Sequence, residues 1–404
     1  MDIKESLVPK LRFKGFAEPW EQRKLEDITE IIDGDRGTNY PNGDDFQAHG
    51  HTLFLSAANI TKEGFNFDAS QYITKEKSES LGNGKVQQDD IVLTSRGSIG
   101  HIAWYNEKIH QQTPNARINS GMLLLRPKEN TFPGFVEQFL KSAMGRKQID
   151  LISFGSAQPQ LTKKDVANYD ISYTGLDEQA ELSNFFSNID NALAIKLKQH
   201  HKTQTIKKTM LEKMFPKKGV DAPEIRIDGF VGPWEKKQCG DAADFYNNLR
   251  IPVTELLRET GNTPYYGANG IQGYINGYTH SGEFVLVAED GASDISNYPI
   301  RYVAGKIWVN NHAHELQGKP NETDTLFLSY ALSIVDYHHF LVGGTRVKLN
   351  ARVLNTIPVH IPSIPEQTAI SNFFHHLDNL LKTQTQEIQK LKTIKTACMN
   401  KMLT

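Results

Sequence analysis

The stretch EQAELSNFFSNIDN at residues 178–191 decides the fold, because it recurs as EQTAISNFFHHLDN at residues 366–379. The two copies are 188 positions apart, and they stay aligned without a gap through Phe215 and Leu403. A second stretch, LRFKGFAEPWE at residues 11–21, returns 214 positions later as IRIDGFVGPWE at residues 225–235. The first copy is therefore longer by 26 residues between these matches, which predicts two variable modules that alternate with two fixed segments.

Each fixed segment has the pattern of a long helix. Apolar residues follow steps of four, three and four positions, as in the seam of a coiled coil. Polar residues continue the same seam, and such positions can fix the register of paired helices. The apolar seam residues are Leu182, Phe186, Ile189 and Leu193 in the first copy and Ile370, Phe374, Leu377 and Leu381 in the second, and the polar ones are Lys196, Lys207, Gln384 and Lys395.

The starts and lengths of these helices follow from local signals. Asp177 is a candidate cap for the first helix, and Ser363 with Glu366 resembles a capping box for the second. About 36 residues at ~1.5 Å each make a helix of ~54 Å. A pseudo-two-fold relation between the halves requires antiparallel helices, which would act as a rigid spacer with one module at each end. A plain structural helical hairpin is the alternative.

Both modules are predicted to be α+β and rich in strands. Module one has short apolar runs near residues 52–55, 90–93, 102–105 and 121–125, and then a helix near 132–149. Module two repeats this order, with runs at 284–288 and 306–309 and a helix near 325–335. The predicted fold is α+β, with two β-rich domains related by pseudo-two-fold symmetry and separated by two long antiparallel coiled-coil helices.

The composition is that of a soluble globular protein. Hydrophobic residues make up 38% of the 404 residues, and no apolar run approaches the ~20 residues of a membrane-spanning helix. Cys239 and Cys398 form neither a disulfide framework nor a zinc spacing, which favours a cytoplasmic location. The formal net charge of −2 excludes a grip on nucleic acid by bulk charge, so DNA binding would need local patches or partner proteins.

Local basic patches exist on the predicted helices. Eight lysines and one acid lie between Lys196 and Lys218, and five lysines and one acid lie between Lys382 and Lys401. Two explanations stay open for these patches. They are either solvated helix faces, or surfaces for phosphate groups or acidic partner subunits.

The loops of both modules carry side chains that can hydrogen-bond the edges of bases. Lysines at the start of a short helix after Thr162 are predicted phosphate contacts. Taken singly, each of these residues is more simply an ordinary solvated loop residue, so the set carries the prediction. The candidate DNA-binding residues are Lys62, Lys85, Arg96, Ser98, Arg117, Ser156, Gln158, Lys163 and Lys164 in module one, and Tyr265, Tyr266, Asn269, Asn276, Asp290, Ser293, Asn310, Asn311, His312, Thr345, Arg346 and Lys348 in module two.

The signatures of common catalytic sites are absent from the sequence. There is no P-loop, no Gly-x-Gly-x-x-Gly, no Gly-x-Ser-x-Gly elbow and no Asn/Asp-Pro-Pro-aromatic run of the amino-methyltransferase kind. The run at residues 33–37 resembles a calcium loop, but its later ligand spacing fails. His312 and His314 share one strand face, where a core or DNA contact is a simpler interpretation than metal binding. We therefore expect no metal and no cofactor on this chain.

The Glu-Gln segments followed by Phe185-Phe186 and Phe373-Phe374, together with the two Arg-x-x-Gly-Phe-x-x-Pro-Trp stretches, resemble the specificity subunit of type I restriction-modification enzymes. The resemblance covers nearly the whole chain. The run GGTR at residues 343–346 also resembles the family pattern that precedes its helices, whereas the first copy has GSAQ at residues 155–158, without the arginine.

The resemblance implies target-recognition domains at residues 1–174 and 225–361, spacer helices at 175–215 and 362–404, and a linker at 216–224. It implies a non-catalytic subunit that reads a bipartite, asymmetric site in double-stranded DNA, with the helices setting the gap between half-sites. The implied partners are two methyltransferase subunits, which use S-adenosylmethionine on adenine, and two restriction/translocase subunits, which use ATP and Mg. The residues expected in the spacer and its partner contacts are Phe185, Phe186, Ile189, Leu193, Phe373, Phe374, Leu377 and Leu381.

Three other functions fit the sequence less well. A stand-alone, repressor-like DNA-binding protein would bind DNA tightly by itself, which the charge balance disfavours. An enzyme would need one of the missing catalytic motifs. A structural scaffold or DNA mimic is the third alternative, and a mimic would be strongly acidic, which this chain is not.

Overall fold

A computed structural model describes residues 8–153, 160–343 and 347–403. The chain divides into two compact units. Unit 1 combines residues 1–197 with residues 387–404, and unit 2 consists of residues 198–386. Unit 1 therefore contains module one and the C-terminal end of the chain, and unit 2 contains module two.

Unit 1 is built from short strands and helices around a central sheet. In the described part of the unit, a pair β1-β9, a sheet of order β2-β8-β5-β6 and a sheet of order β4-β3-β7 are formed. The strands are β1 (Glu21–Lys24), β2 (Thr29–Asp33), β3 (Thr52–Leu55), β4 (Tyr72–Ile73), β5 (Ile91–Thr94), β6 (Ile102–Trp104), β7 (Ala116–Ile118), β8 (Met122–Pro127) and β9 (Asp170–Tyr173). The helices are α1 (Leu25–Ile28), α2 (Lys75–Ser80), α3 (Glu107–Gln112), α4 (Pro133–Lys141), α5 (Ala143–Ser153), α6 (Lys163–Ala167) and α7 (Leu176–Lys213), the last of which continues into unit 2.

In the described residues, unit 2 has fewer but longer strands than unit 1. They form a pair β10-β17 and a sheet of order β11-β16-β14-β15-β12-β13. The strands are β10 (Glu235–Gln238), β11 (Ala243–Phe245), β12 (Thr263–Gly267), β13 (Gly270–Ile275), β14 (His280–Ala288), β15 (Ile300–Val309), β16 (Ala313–Gly318) and β17 (Pro358–Ile361). The helices are α8 (Cys239–Ala242), α9 (Thr325–Ser333), α10 (Ala351–Thr356) and α11 (Ile364–Met402), the last of which ends in unit 1.

The central sheets of the two units share strand order and register. The order β2-β8-β5-β6 corresponds to β11-β16-β14-β15. Ile91 faces Leu125 in the first sheet, and Val285 faces Leu316 at the matching place in the second. The end of β15 pairs in parallel with β12, as β7 pairs in parallel with β3. Both modules therefore fold on one scaffold, although their sequences differ between the repeats.

The extra residues of module one are located mainly before α4. Matching elements are 214 positions apart at β1 and β10, 192 apart at α4 and α9, and 188 apart at β9 and β17. Part of the difference is the segment containing α3, which separates β6 from β7 where unit 2 has the single long strand β15. The longer module thus interrupts one strand and keeps the scaffold.

Each strand predicted from the sequence overlaps an observed one, but the predicted single helix at 132–149 is wrong. It is divided into α4 and α5 at Ser142, whose backbone is extended at φ −66° and ψ 166°. Three residues later, a Cβ added to Gly145 would lie 2.6 Å from the Cα of Leu140. The break therefore depends on close packing of one helix on the next, which hydrophobic periodicity does not reveal.

Helices α7 and α11 are 38 and 39 residues long, which confirms the predicted long helices. Every described residue of the predicted seam is buried or half-buried. Phe186 and Phe374 are fully buried near the helix starts, and Met214 and Met402 are buried near the ends. The heptad-like spacing in the sequence therefore identified the packed face of both helices.

In unit 1 the two helices are antiparallel. Lys395 of α11 donates to the Asp190 carboxylate of α7 at 2.6 and 2.8 Å. Further along α7, Lys196 pairs at 2.7 Å with Glu387, which lies earlier in α11. The predicted polar seam residues of this unit therefore have partners on the opposite helix.

In unit 2 the helices are also antiparallel. Gln384 Nε2 donates to Thr203 Oγ1 at 3.3 Å, and Lys207 of α7 pairs with Asp378 of α11. Asp378 is 188 positions after Asp190 in the sequence, and so matches it in the repeat. The same lysine–aspartate pair thus forms once in each unit, with the roles of the two helices exchanged.

Candidate nucleic-acid interface

The repeated arginine and tryptophan of the first module are fixed to the start of α7. Arg12 donates from Nε and Nη2 to the two carboxylate oxygens of Glu178, at 2.5 and 2.7 Å. Trp20 Nε1 donates to the same carboxylate at 3.0 Å, and the Thr174 hydroxyl also donates to it. Burial works to raise the pKa of Glu178, but hydrogen bonds from Arg12, Thr174 and Trp20 hold this pKa below its usual range. We call this cluster junction 1.

Unit 2 contains the matching cluster, junction 2. Arg226 donates to both carboxylate oxygens of Glu366 at 2.7 Å, and Trp234 Nε1 donates to Glu366 at 3.3 Å. The next residue in each unit, Gln179 or Gln367, is buried and accepts a backbone N–H bond at the start of α4 or α9, at 2.8 and 2.7 Å. The repeated motifs therefore anchor each module to its helix.

The predicted capping box of α11 is wrong. Ser363 directly precedes the first helical residue, but the Glu366 carboxylate is engaged by Arg226 and Trp234 instead. Asp177 likewise lies inside the first turn of α7 and not before it. Local spacing located both helix starts, but it could not identify a partner from a distant part of the chain.

At the other end of the central sheet of unit 1, three loops converge. β8 runs from these loops toward junction 1, where the Asn130 carbonyl accepts from Gln179. The N–H of Ser95, after β5, donates to the Gly121 carbonyl at 2.8 Å, and the N–H of Leu161 donates to the Ser95 carbonyl at 3.0 Å. We call the loops around these three residues loop cluster 1.

Loop cluster 2 forms in unit 2 by the same bonds. The N–H of Glu289 donates to the His312 carbonyl at 2.8 Å, and the N–H of Leu349 donates to the Glu289 carbonyl at 2.7 Å. Leu349 is 188 positions after Leu161, so these two residues also match in the repeat. Equivalent loops are therefore placed at the equivalent end of both modules.

An asparagine shapes one turn in each cluster. Asn119 Oδ1 accepts from the N–H of Gly121 at 2.9 Å, and Asn310 Oδ1 accepts from the N–H of His312 at 2.8 Å. Asn310 is only 4% exposed, and its amide group also donates to Gln272 at 3.2 Å. Asn310 therefore has a structural role inside the turn, and its contact with DNA stays a prediction.

Loop cluster 2 brings together several residues predicted to bind DNA. The Asn269 side chain accepts from the N–H of Ser293 at 2.8 Å and donates to the carbonyl of the loop after β14. His312 Nδ1 lies 2.5 Å from Asp290 Oδ1, and Asp290 forms a β-bridge with Lys348. Asn311 is exposed beside them, and half-buried Tyr266 has a pKa raised by burial. Donors and acceptors suited to base edges thus lie on one surface.

Loop cluster 1 carries a different set. Arg96 and Ser98 are exposed after β5, and no hydrogen bond or ion pair from the described residues engages the Arg96 guanidinium. Arg36 Nη2 donates to the Ser120 carbonyl at 3.3 Å, and the Tyr40 hydroxyl accepts from the N–H of Ser120 at 3.3 Å. The place of Arg36 and Tyr40 in loop cluster 1 was not predicted from the sequence. Their one signal is a position in a long loop directly after a strand.

Two further predicted DNA contacts, Arg117 and Tyr265, are buried side chains. Arg117 is 6% exposed, and its guanidinium donates to Ser78 Oγ and to backbone carbonyls of residues 81–83. Tyr265 is 1% exposed, and its hydroxyl is bonded to the backbone of Val253. Both side chains therefore support the module from inside, and their contact with DNA stays a prediction.

The remaining candidates are not joined to the clusters by a side-chain contact among the described residues. Asn276 lies just after β13, where its amide donates to Glu259 at 3.4 Å. The exposed lysines on other segments are Lys62, Lys85, Lys163 and Lys164, which stay predictions. The candidates that lie outside the described residues are Ser156, Gln158, Thr345 and Arg346.

A layer of buried and half-buried charged residues lies beneath loop cluster 2. Arg250 donates to Glu289 at 2.6 Å, and its Nε is 3.8 Å from a carboxylate oxygen of Glu315. Burial raises the pKa of Glu289, but hydrogen bonds from Arg250 and Lys348 outweigh it and lower this pKa. Burial also lowers the pKa of His314, which favours the neutral imidazole. Glu289, in the loop after β14, is thus linked to β16 through its contacts with Arg250 and His314.

Glu315 is the most unusual member of this layer. Its side chain is fully buried, and no described residue hydrogen-bonds its carboxylate. Burial raises the pKa of Glu315 to about 9 although Arg250 opposes this, so the group is protonated at neutral pH. Strand register places Leu124, which is also fully buried, at the matching position of unit 1. The two modules therefore differ even inside the shared scaffold.

The predicted spacer and partner residues are mostly inside the units. Phe186 and Phe374 are fully buried and Leu377 is 9% exposed, while Phe185, Ile189, Leu193 and Leu381 are half-buried. Phe373 is the most exposed of them, at 36%. Of these residues, Phe185, Phe186 and Ile189 pack into the core of unit 1, and Phe374 and Leu377 pack into the core of unit 2. Contact of the set with partner subunits stays a prediction.

Metal-binding and membrane-spanning features are absent from residues 8–153, 160–343 and 347–403. No group of three or more His, Cys, Asp or Glu side chains there is arranged to hold a metal ion. No helix in these ranges is both long and apolar enough to cross a membrane.

Comparison with known proteins places the repeat in a family. The model of the type I restriction modification DNA specificity domain matches residues 17–208 and 232–393. A putative type I restriction enzyme specificity subunit of Haemophilus influenzae is 44% identical over 147 residues, 36% of this chain and 37% of that protein. The putative MjaX specificity subunit of Methanocaldococcus jannaschii is 23% identical over 424 residues, 99% of this chain and 96% of that protein.

Solved structures share the fold over nearly the full length. A type I restriction-modification S subunit from M. genitalium has a TM-score of 0.71 at 16% identity, covering 98% of this chain and 99% of that one. A chain from a study of complex assembly in the type I restriction-modification system has a TM-score of 0.51 at 15% identity, covering 95% and 97%. Because the family model matches most of the chain in two copies, the protein belongs to the family of type I restriction-modification DNA specificity subunits.

Proposed function

We propose that the chain is the DNA-reading subunit of a type I restriction-modification complex and recognises a bipartite, asymmetric site in double-stranded DNA. In this proposal module one reads one half-site through loop cluster 1, and module two reads the other through loop cluster 2. The chain specifies the sequence and does not itself catalyse a reaction, in line with its family membership.

One observation carries this proposal. The modules present equivalent loops at the same end of one scaffold, but the side chains on those loops differ. Cluster 1 offers Arg96 and Arg36, which suit guanine, whereas cluster 2 offers the exposed Asn311 and the His312–Asp290 pair. Two surfaces with different donors and acceptors would select different bases, so we expect a non-palindromic target.

Partner subunits would supply the chemistry and part of the affinity. The net charge of −2 is weak for a protein that binds DNA alone, since contacts to phosphates dominate such affinity. We propose that two methyltransferase subunits, with S-adenosylmethionine, and two restriction/translocase subunits, with ATP and Mg, dock on the chain in the cytoplasm. The solved relative studied for complex assembly supports docking of this kind. That the helices set the gap between half-sites stays a prediction.

The first experiment is to co-express the chain with its candidate methyltransferase subunit and map methylated adenines across a genome. We expect a split, asymmetric motif that appears only when both proteins are present. Sequence-specific binding by the chain alone without any methylation would favour a stand-alone DNA-binding protein instead.

Two variants then test the assignment of one module to each half-site. Arg96→Ala should relax one half of the motif, and a combined Asp290→Ala and His312→Ala change should relax the other. If both variants changed the same half, or neither changed the motif, the loop clusters would not be the reading surfaces.

A further inference from the structure

Two leucines of unit 2 project into solvent at the tip of a short turn. The turn Glu255–Leu257 lies between β11 and β12, and Leu256 and Leu257 are 98% and 75% exposed. Exposing two adjacent leucines forgoes the stabilisation that burial of their side chains would provide. Scattered exposed leucines are ordinary, but a pair at the tip of an ordered turn indicates a binding partner.

The base of this turn is fixed. The Tyr265 hydroxyl is bonded to both the N–H and the carbonyl of Val253, at 2.9 and 3.2 Å. Arg258 lies over the Tyr265 ring at 4.0 Å and donates to the Val253 carbonyl at 3.2 Å. The tip is therefore held out by bonds on both of its sides.

The same base adjoins loop cluster 2. The N–H of Ile251 donates at 3.2 Å to the carbonyl of Val309, the residue before Asn310. Arg258 Nη1 donates at 3.4 Å to the carbonyl of Gln272, whose side chain bonds Asn310. The leucines thus neighbour the surface that we propose reads DNA.

Unit 1 has a turn of different character in the same place. Between β2 and β3 lies the turn Gly43–Asp45, whose tip residues are glycine and aspartates. The shared scaffold therefore does not require leucines at this position. An element that differs between modules, as the loop clusters do, fits the DNA of one half-site better than a protein that docks alike on both halves.

We propose that Leu256 and Leu257 form an apolar wedge that inserts against the bases of the half-site read by module two and opens one base step. This proposal rests on the proposed function. Leucine is among the side chains that proteins insert between base steps. The Arg258 charge is engaged by the Tyr265 ring, and Glu255 would repel phosphate, so the tip supplies contact with bases and not neutralisation of the backbone.

The test uses the full chain with its methyltransferase partner and duplexes that contain the methylation motif, with 2-aminopurine at successive positions. The wild-type complex should raise the fluorescence at one step of the module-two half-site. The double variant Leu256→Ser, Leu257→Ser should lose this rise and bind about ten-fold more weakly. The dependence of its affinity on salt should be unchanged, because no phosphate contact is removed.

Val231→Ser is the matched control. Val231 is 90% exposed and lies in unit 2 between Arg226 and Trp234 of junction 2, away from loop cluster 2 in the sequence. It should behave as wild type, and all variants should unfold at the wild-type temperature. No fluorescence rise at any step, or wild-type affinity of the double variant, would overturn the wedge while leaving the proposed function intact. Loss of the methyltransferase subunit from the double variant would assign the tip to protein docking and also overturn it. Absence of specific binding by the wild-type complex would remove the proposed function itself.

Discussion

The junctions and the loop clusters are opposite ends of the same modules, and they differ in how closely the two copies agree. Junctions 1 and 2 have the same arginine, tryptophan, glutamate and glutamine in the same contacts. The loop clusters keep the backbone bonds but exchange nearly every exposed side chain. At a junction three parts of the chain pack against one another, so few side chains fit there. A loop tip contacts only solvent or a ligand, so its side chains can vary without loss of packing.

The two modules also differ in the buried strand residues beneath the loop clusters. Unit 1 has Leu124 where unit 2 has Glu315, and both are fully buried. The scaffold therefore tolerates a change from apolar to polar within a few residues of the loops. This comparison leads to four predictions, from the largest expected effect to the smallest.

Glu178→Ala and Glu366→Ala should each destabilise their own unit by about 3–5 kcal/mol, because each leaves a poorly exposed arginine without its partner. The glutamate side chains are 2% exposed in both junctions. Chemical unfolding followed by tryptophan fluorescence measures the loss. Glu21→Ala is the control, because its pair with Arg23 is solvent-exposed and worth less than about 1 kcal/mol. Equal losses from all three changes would contradict the structural role of the junctions.

Arg117→Ala and Arg96→Ala should separate stability from recognition within module one. Removing Arg117 leaves buried carbonyls without donors and should cost about 1–3 kcal/mol of unfolding free energy. Arg96→Ala should leave unfolding unchanged and weaken binding of the target by about 1–3 kcal/mol. Unfolding curves and affinities for the motif test the pair. A stable Arg117→Ala variant with weak binding would return Arg117 to the interface.

Glu315→Gln should remove a pH dependence that module one lacks. The folded pKa of about 9 lies above the usual value for glutamate, so folded unit 2 keeps a proton that the unfolded chain has released. The stabilisation is full below the unfolded pKa and is lost as the pH rises toward 9. The variant stays neutral, so it should lose the fall in stability of about 1.4 kcal/mol per pH unit that the wild-type carboxyl causes as the pH rises from 7 to 8.

Unfolding measured from pH 7 to 9 tests this prediction, since His314 has a lowered pKa and titrates below that window. Glu315→Leu, which installs the module-one residue, should flatten the same slope. An unchanged slope in both variants would show that the carboxyl is ionised in the folded unit.

Asp190→Asn and Asp378→Asn should have the smallest effects, lowering the free energy of unfolding by at most about 1 kcal/mol each. These carboxylates pair with the seam lysines, but they are 37% exposed and screened by solvent. The change keeps the shape of the side chain and removes its charge. Similar small losses in the two units would confirm that the helix pairs are equivalent. A large loss in one unit alone would show that the repeat hides a difference in packing.

Much of this architecture could be predicted from the repeat, and the failures have physical causes. The seam from Phe186 to Met214 follows a period that only a packed helix needs, so periodicity identified it. Arg117 and Arg96 are both arginines of module one, and no local pattern states that one points inward to carbonyls and the other into solvent. Arg36 and Tyr40 reach loop cluster 1 only because a long loop folds back onto the turn at Ser120.

The sequence by itself determined the two modules, the two long helices and the membership of the family, because repeats and periodicity are carried by neighbouring residues. Tertiary structure alone decided which polar residues meet at the loop clusters, that Glu366 bonds Arg226 and not its own helix, and that Leu256 and Leu257 remain in solvent. These outcomes depend on burial and on contacts between residues far apart in the chain. A side chain's partners are set by the surfaces that folding brings against it, and its local sequence does not contain them.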